Sequence, residues 1–482
     1  MMLKKNWPES VDVPKKLHNR LTKDNYNMKN FTPVYNNRLG LEPPGIYEYF
    51  LDNFWFKAAD LENEKINEPL RGSHKADIVI IGGGYTGLSA AYNIHKKFPD
   101  KKIMILEGAC CGYGASGRNG GFCVVTSLID EGCKDTEARK RNLAVNLHGI
   151  NQIKEFINDY GLDCDFDEKG MLDTAMNEAQ VKIMEREYKL LKDWGLEVEM
   201  LYGKDLEKEI KSPRYIAALK INHGATLNPA KLARGMKKIV ENLGVEIRER
   251  SLVTRVIPGK INHVDTEQGE VKAPVIVVAT NAYSHKIGFF QNRLYPIYTY
   301  VIATEPLSKS QWEAIGWQNR QGIADYRMQF DYMIPSADGR IIIGGSDTKY
   351  YQNDGIAPGN NKSVSEDILK DLVKTFPPLK GIKVDHCWGG PTAGTLDFAP
   401  SVGVMGDHKN IYYGVGYNEG VPSTQTAGRM IADLMAGEKN EFTDHYIINR
   451  TMPYSGPKFL RYFFSIFRKW YMVKVIKNAG HL

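Results

Sequence analysis

Gly82, Gly84 and Gly87 stand in G-x-G-x-x-G spacing, after an apolar β-branched run that follows Asp77 and before Leu88, Ala91 and Ile94 at helical spacing. The order predicts strand, tight turn and helix. The chemistry of such a turn is phosphate binding. The first glycine permits the turn, the second lets a pyrophosphate approach the backbone, and the third lets helix and strand pack closely. Tyr85 and Thr86 then fall in the first helical turn, where free N–H groups and the helix dipole meet negative charge. A second apolar run, Ile103–Leu106, ends in Glu107 and Gly108. Glu107 lies twenty residues beyond Gly87, in reach of the ribose hydroxyls of an adenosine. Strand, helix and acid together predict a dinucleotide site.

Two more stretches place polar groups beside glycines. Gly112–Gly121 holds too many small residues for a helix interior or a strand, so its backbone passes close to something or forms a flexible surface loop. Ser116, Arg118 and Asn119 within it offer hydroxyl, guanidinium and amide groups suited to phosphate and ring-edge contacts. Val275–Ala279 reads as a strand buried on both faces, ending in Thr280, Asn281, Ala282, Tyr283 and Ser284. Ligands bind outside the carboxyl ends of such strands, and a helix cap by Asn281 or Ser284 is the equal alternative.

The segment Ala115–Gly121 resembles the flavin-dependent oxidoreductases of the D-amino-acid oxidase superfamily, nearest the γ-glutamylputrescine oxidoreductase and glycine–sarcosine oxidase branch. The resemblance runs from about residue 76 onward and implies FAD, bound non-covalently, with Cys123 as the alternative point of attachment. It implies that Ala115, Ser116, Gly117, Arg118, Asn119, Gly120 and Gly121 line the pyrophosphate and flavin ring. The Val253 backbone would hold the adenine edge, and Ala279, Thr280 and Asn281 would lie close to the cofactor. Trp388-Gly389-Gly390 matches the family's W-x-G segment. Gly416, Tyr417, Asn418, Glu419, Gly420 and Val421 lead into a helix whose positive end faces the place where reduced flavin carries charge. This loop is one residue shorter than in relatives, and Glu419 stands where a small or polar residue is expected. A sheet would roof the flavin, with Arg327, Asp331, Tyr332 and Trp388 as the residues of the substrate face.

These residues need two kinds of scaffold. The expected fold is α/β: a Rossmann-like FAD-binding domain with a parallel sheet, assembled from residues 75–172, 214–290 and 385–440. A substrate domain with a mixed or antiparallel sheet would comprise 173–213 and 291–384, after an N-terminal arm 1–74 that includes Trp55. Helices are predicted over Lys134–Tyr160, Asn177–Trp194 and Pro422–Met435, and one from the cap Asn228-Pro229 to Asn242. Strands are predicted over Asp165–Ala175, Arg214–Ile221, Pro296–Thr304, Tyr326–Ile334 and Arg340–Gly345, the last two joined by Ser336–Gly339. In the tail 441–482, Phe459, Phe463, Phe464, Phe467 and Trp470 share one helical face opposite Lys458, Arg461, Arg468 and Lys469. Packing on the protein is favoured over peripheral membrane contact for that face.

At 482 residues the chain is long enough for more than one domain, and its 42% hydrophobic and 25% charged residues are those of a globular protein. A net charge of +6 without a basic block in the body argues against nucleic acid. The six cysteines, at 110, 111, 123, 133, 164 and 387, form no C-x-x-C pair, which argues against zinc and for reduced thiols in the cytoplasm. The expected reaction is FAD-dependent oxidation of a C–N bond in an amine or amino acid, giving an imine, with oxygen or another carrier as electron acceptor. An NAD(P)H-dependent flavin hydroxylase and a non-catalytic flavoprotein subunit are the alternatives.

Overall fold

The computed structural model describes residues 53–61, 63–126, 135–327, 330–351, 354–355, 361–458 and 460–463. The runs IVII and IMIL carry no polar side chain and are buried at every position, as parallel strands covered on both faces must be. Each buried Ile, Leu or Val stabilises the fold by about 1.5–3 kcal/mol. They form β1 (Ile78–Ile81) and β2 (Ile103–Leu106) of a six-stranded sheet, with β3 (Glu246–Arg248), β4 (Val275–Val278), β5 (Ser401–Met405) and β6 (Ile411–Val415). The order is β5-β6-β4-β1-β2-β3, parallel throughout except for β5 against β6.

One face of this sheet carries α1 (Tyr85–Lys97), α2 (Thr136–Tyr160), α3 (Pro229–Asn242) and α4 (Val421–Ala436). Local sequence sets their ends. Asp135 caps α2 by accepting from the Glu137 and Ala138 amides, and Gly161 closes it at φ 66°. Asn228 caps α3 in the same way, with Pro229 at its start. Glycines set the spacing: a Cβ on Gly428 of α4 would lie 2.3 Å from Ser89 of α1, and one on Gly149 of α2 only 1.9 Å from the Pro422 carbonyl oxygen. The other face is covered by a four-stranded sheet, Gly72–Lys75, Gly269–Ala273, Asn262–Thr266 and Val253–Ile257, through Val79, Ile81, Val256, Val264 and Val271.

A second, eight-stranded sheet runs Val384–Gly394, Tyr295–Thr304, Ile341–Lys349, Tyr332–Pro335, Gly322–Asp325, Met171–Ala175, Ala217–Ile221 and Val198–Tyr202. Only Gly322–Asp325 and Met171–Ala175 pair in parallel. Strand alternation sends Leu172, Tyr298, Ile302, Met333 and Ile343 to the outer face, where they pack on the helix Lys362–Thr375. The inner face turns toward the glycine loops.

Ala217–Ile221 and Val384–Gly394, expected with the FAD-binding part, pair within this larger sheet. The strand expected from Tyr326 starts only at Tyr332, because Arg327 and Asp331 are drawn into a charged turn. The turn Ser336–Gly339 joins the next two strands as expected, with Gly339 at φ +86°. Most of the N-terminal arm, Cys133 and most of the expected helix Phe459–Tyr471 lie outside the described residues.

Candidate active site

Gly82 adopts φ +109°, and a Cβ there would lie 2.7 Å from the Ala279 carbonyl oxygen at the end of β4. A Cβ on Gly87 would lie 1.9 Å from the Gly82 carbonyl oxygen, and one on Gly84 2.9 Å from Ser116 Oγ. The three glycines therefore keep the turn close to the sheet and leave its outer side open. Gly84 caps α1 without a side-chain bond of its own, and Ser116 Oγ accepts from the Tyr85 amide at 3.0 Å. Glu107, at the end of β2, accepts from the amides of Gly83 (2.7 Å) and Ala109 (2.9 Å). Burial raises its carboxyl to about 7, against the pull of these two amides.

Behind Glu107 lies a buried network absent from the sequence expectations. Glu249 accepts from the Cys111 amide, Arg234 Nη1 and Lys237 Nζ, each at 2.7 Å. Burial works against the Glu249 charge, yet Arg234, the Asn67 amide and Lys237 hold its carboxyl below the usual range. The loop that follows β2 is thereby anchored to α3. The sequence signal was weak: two of the charged residues sit inside an amphipathic helix and the third beyond the next strand, a pattern that reads as an ordinary solvated face.

The segment Gly112–Gly121 folds around its own side chains. Arg118 Nε donates to the Tyr113 carbonyl at 2.7 Å, and its guanidinium stacks between the Phe56 and Tyr113 rings at 5.2 and 4.7 Å. Asn119 Nδ2 donates to the Ala115 and Ser116 carbonyls, and its Oδ1 accepts from the Gly121 amide. Their polar groups shape the loop, although both residues line the cavity described next. Asn281 does not cap a helix. Its Oδ1 accepts from the amides of Gly416 and Tyr417 and its Nδ2 donates to the Tyr417 carbonyl, tying the end of β4 to the loop before α4.

A cavity of about 550 Å³ joins these parts. It is lined by Gly82, Gly84, Tyr85, Thr86, Glu107, Gly108, Ala115, Ser116, Gly120, Val253, Ala279, Thr280, Asn281, Gly390, Tyr417, Asn418, Glu419, Gly420 and Val421, together with Arg118 and Asn119. The sheet contributes Asp173, Thr299 and Tyr332 from its inner face. Glu419 is exposed at the rim. Tyr332 lies across two glycines, since a Cβ on Gly120 or Gly344 would fall 2.3 Å from its ring or hydroxyl. Burial raises its phenol above the ordinary range.

Seven expected residues, Asp331 among them, do not line the cavity. Gly87, Gly117, Gly121 and Gly416 serve close packing behind it: a Cβ on Gly117 would lie 2.4 Å from the Gly112 carbonyl, and one on Gly121 2.4 Å from that of Leu227. Arg327, expected to contact substrate, instead binds Asp325, Asp331 and Asp371, with Nη1 2.9 Å from Asp371. Trp388, likewise expected on the substrate face, is 1% exposed. Its Nε1 donates to the Arg118 carbonyl at 2.9 Å, and Trp55 packs edge-on against it. Trp388 lies on a strand of the roof and Arg327 in the turn before another; Trp55 and the carboxylates of Asp325, Asp331 and Asp371 turn them away from the cavity. Asp173 is the converse case, an acid inside the apolar strand MLDTA that sequence reasoning passed over.

Residues 77–434 match the family described as FAD dependent oxidoreductase. The chain is 32% identical over 409 residues to the γ-glutamylputrescine oxidoreductase of Escherichia coli K12, covering 82% of this chain and 91% of that protein. It is 21% identical over 379 residues to the glycine oxidase of Geobacillus kaustophilus, covering 77% and 95%. The crystal structure of the Geobacillus kaustophilus glycine oxidase superimposes with a TM-score of 0.69 at 18% identity, over 79% of this chain and all of that one. The L-proline dehydrogenase of P. horikoshii does so with a TM-score of 0.66 at 19% identity, over 78% and 96%. Glycine turn, buried acid and roofed cavity thus occur in a chain that belongs to the FAD-dependent oxidoreductase family.

Proposed function

We propose that the chain oxidises a C–N bond of a small amine or amino acid, as the names of its relatives indicate for them. The observation that carries this reading is one continuous cavity from the phosphate turn to the inner face of the eight-stranded sheet. Its residues fit FAD. The cradle at Gly82 and Gly84 has no room for Cβ atoms, and the amide-held Glu107 carboxylate suits a ribose. Glycines and backbone amides continue along Ala115–Gly120 and Gly420–Val421. When bound, FAD supplies an acceptor for the hydride of the carbon bearing the nitrogen, which leaves an imine for water to hydrolyse. Tyr332 and Thr299 of the sheet line the cavity and would face an amine bound there, and the N-terminal turn of α4 lines it with its positive end.

Neither histidine nor cysteine lines the cavity among the described residues, which supports non-covalent attachment. Cys110, Cys111, Cys123, Cys164 and Cys387 are free thiols, and no described helix is long and apolar enough to cross a membrane. The free thiols support the cytoplasmic assignment. Acid precipitation tests the attachment: the reading expects a colourless pellet and FAD in the supernatant. Mixing purified protein anaerobically with polyamines, N-methylated amino acids and D-amino acids tests the activity. Loss of flavin absorbance with at least one of them is expected, and reduction by NADPH alone would point instead to the hydroxylase class.

A further inference from the structure

Asp173 stands on the inner face of the sheet, opposite Ala324 on the neighbouring strand, which in turn lies opposite Tyr332. It is 8% exposed and lines the cavity. Only burial and two further carboxylates, Glu187 and Glu419, act on its charge, all in the direction that raises its carboxyl, to about 7. No hydrogen-bond or ion-pair partner meets it among the described residues, although a buried unpaired acid is destabilising. Two basic residues line the cavity among the described residues, Lys286 in the turn after β4 and Arg118 in the second glycine loop, and neither is bonded to Asp173. Arg118, which does line it, donates to the Tyr113 and Gly389 carbonyls, and Arg327 is held by three carboxylates outside it. Glu419 at the rim adds a second negative charge on the approach.

We infer that Asp173 recognises an ammonium group of the substrate remote from the reacting nitrogen, so that the site selects diamines and longer polyamines over amino acids with a carboxylate at that end. The inference rests on the cavity being the site of amine oxidation. An ammonium would supply the missing partner with a charge-assisted hydrogen bond, whereas a carboxylate would meet like charge in a desolvated place.

The test is calorimetric titration of dithionite-reduced holoenzyme under anaerobic conditions at about pH 8.5, where Asp173 is ionised and no ligand is consumed. The probes are 1,4-diaminobutane and 4-aminobutanoate, equal in length and opposite in terminal charge. Wild type is expected to bind the diamine at least about 30-fold more tightly, Asp173→Asn to narrow that ratio about tenfold or more, and Asp173→Glu to keep most of it. Should Asp173→Asn fail to fold, Glu419→Gln reads the same ratio, with a narrowing of about threefold. Equal binding of the two ligands by wild type, or an equal loss for both in Asp173→Asn, overturns the inference. Flavin bleaching by amino acids with a reversed ratio would sink it and leave amine oxidation standing. Selective diamine binding without bleaching by any amine would do the opposite.

Discussion

A methyl group on Gly87 would sit 1.9 Å from the Gly82 carbonyl oxygen, so Gly87→Ala must push α1 away from β1. The expected cost is about 1–3 kcal/mol, with loss of bound FAD, read as the ratio of flavin to protein absorbance after gel filtration. Glu107→Gln should weaken FAD about 10- to 100-fold, because one of two amides then faces an NH₂ group and the ribose loses a charged acceptor. Equilibrium dialysis against FAD measures it. Asp173 supplies a pH signature. Its folded-state value, about 7, lies above its ordinary 3.8, so the stability it contributes is complete below the ordinary value and is lost as pH rises through about 7. Apo Asp173→Asn should match wild type in unfolding free energy near about pH 4 and exceed it near about pH 8.5 by on the order of 2–4 kcal/mol, read by urea denaturation. A difference independent of pH would show that Asp173 is ionised or paired throughout.

At the scale of elements, the short helix Phe54–Ala58 clamps the second glycine loop against the roof. Trp55 is 2% exposed, donates from Nε1 to the Asn119 carbonyl at 2.9 Å and packs on Trp388. Trp55→Ala should cost about 3–5 kcal/mol in urea denaturation and release FAD well before global unfolding. Arg327→Ala should also destabilise by about 3–5 kcal/mol, since it removes the buried cation that Asp325, Asp331 and Asp371 share. Amine affinity of the folded Arg327→Ala holoenzyme should stay within about twofold of wild type, as Arg327 does not touch the cavity. A large loss of affinity without loss of stability would return Arg327 to the substrate face.

At the scale of the molecule, two packed sheets with a cavity between them are what the chain builds, and the parts legible in its sequence are the locally encoded ones. The glycine turn, Glu107, the Asn228-Pro229 cap and the buried strands β1, β2 and β4 each follow from a few adjacent residues. Trp388 and Asp173 do not, because strand register across distant segments decides whether a side chain meets the cavity or another tryptophan; for Arg327 two of the three carboxylates, Asp325 and Asp331, are near in the chain and only Asp371 is distant. The sheet membership of Ala217–Ile221 was hidden for the same reason: an apolar run states that it is buried but not beside which strand. The central claim is that the cavity binds FAD and delivers an amine to it, and anaerobic spectral titration of purified protein tests it most directly. The account predicts about one FAD per chain and an absorbance that falls on addition of an amine substrate. Protein that stays colourless after reconstitution with FAD, or yellow protein that no amine or amino acid bleaches, would contradict it.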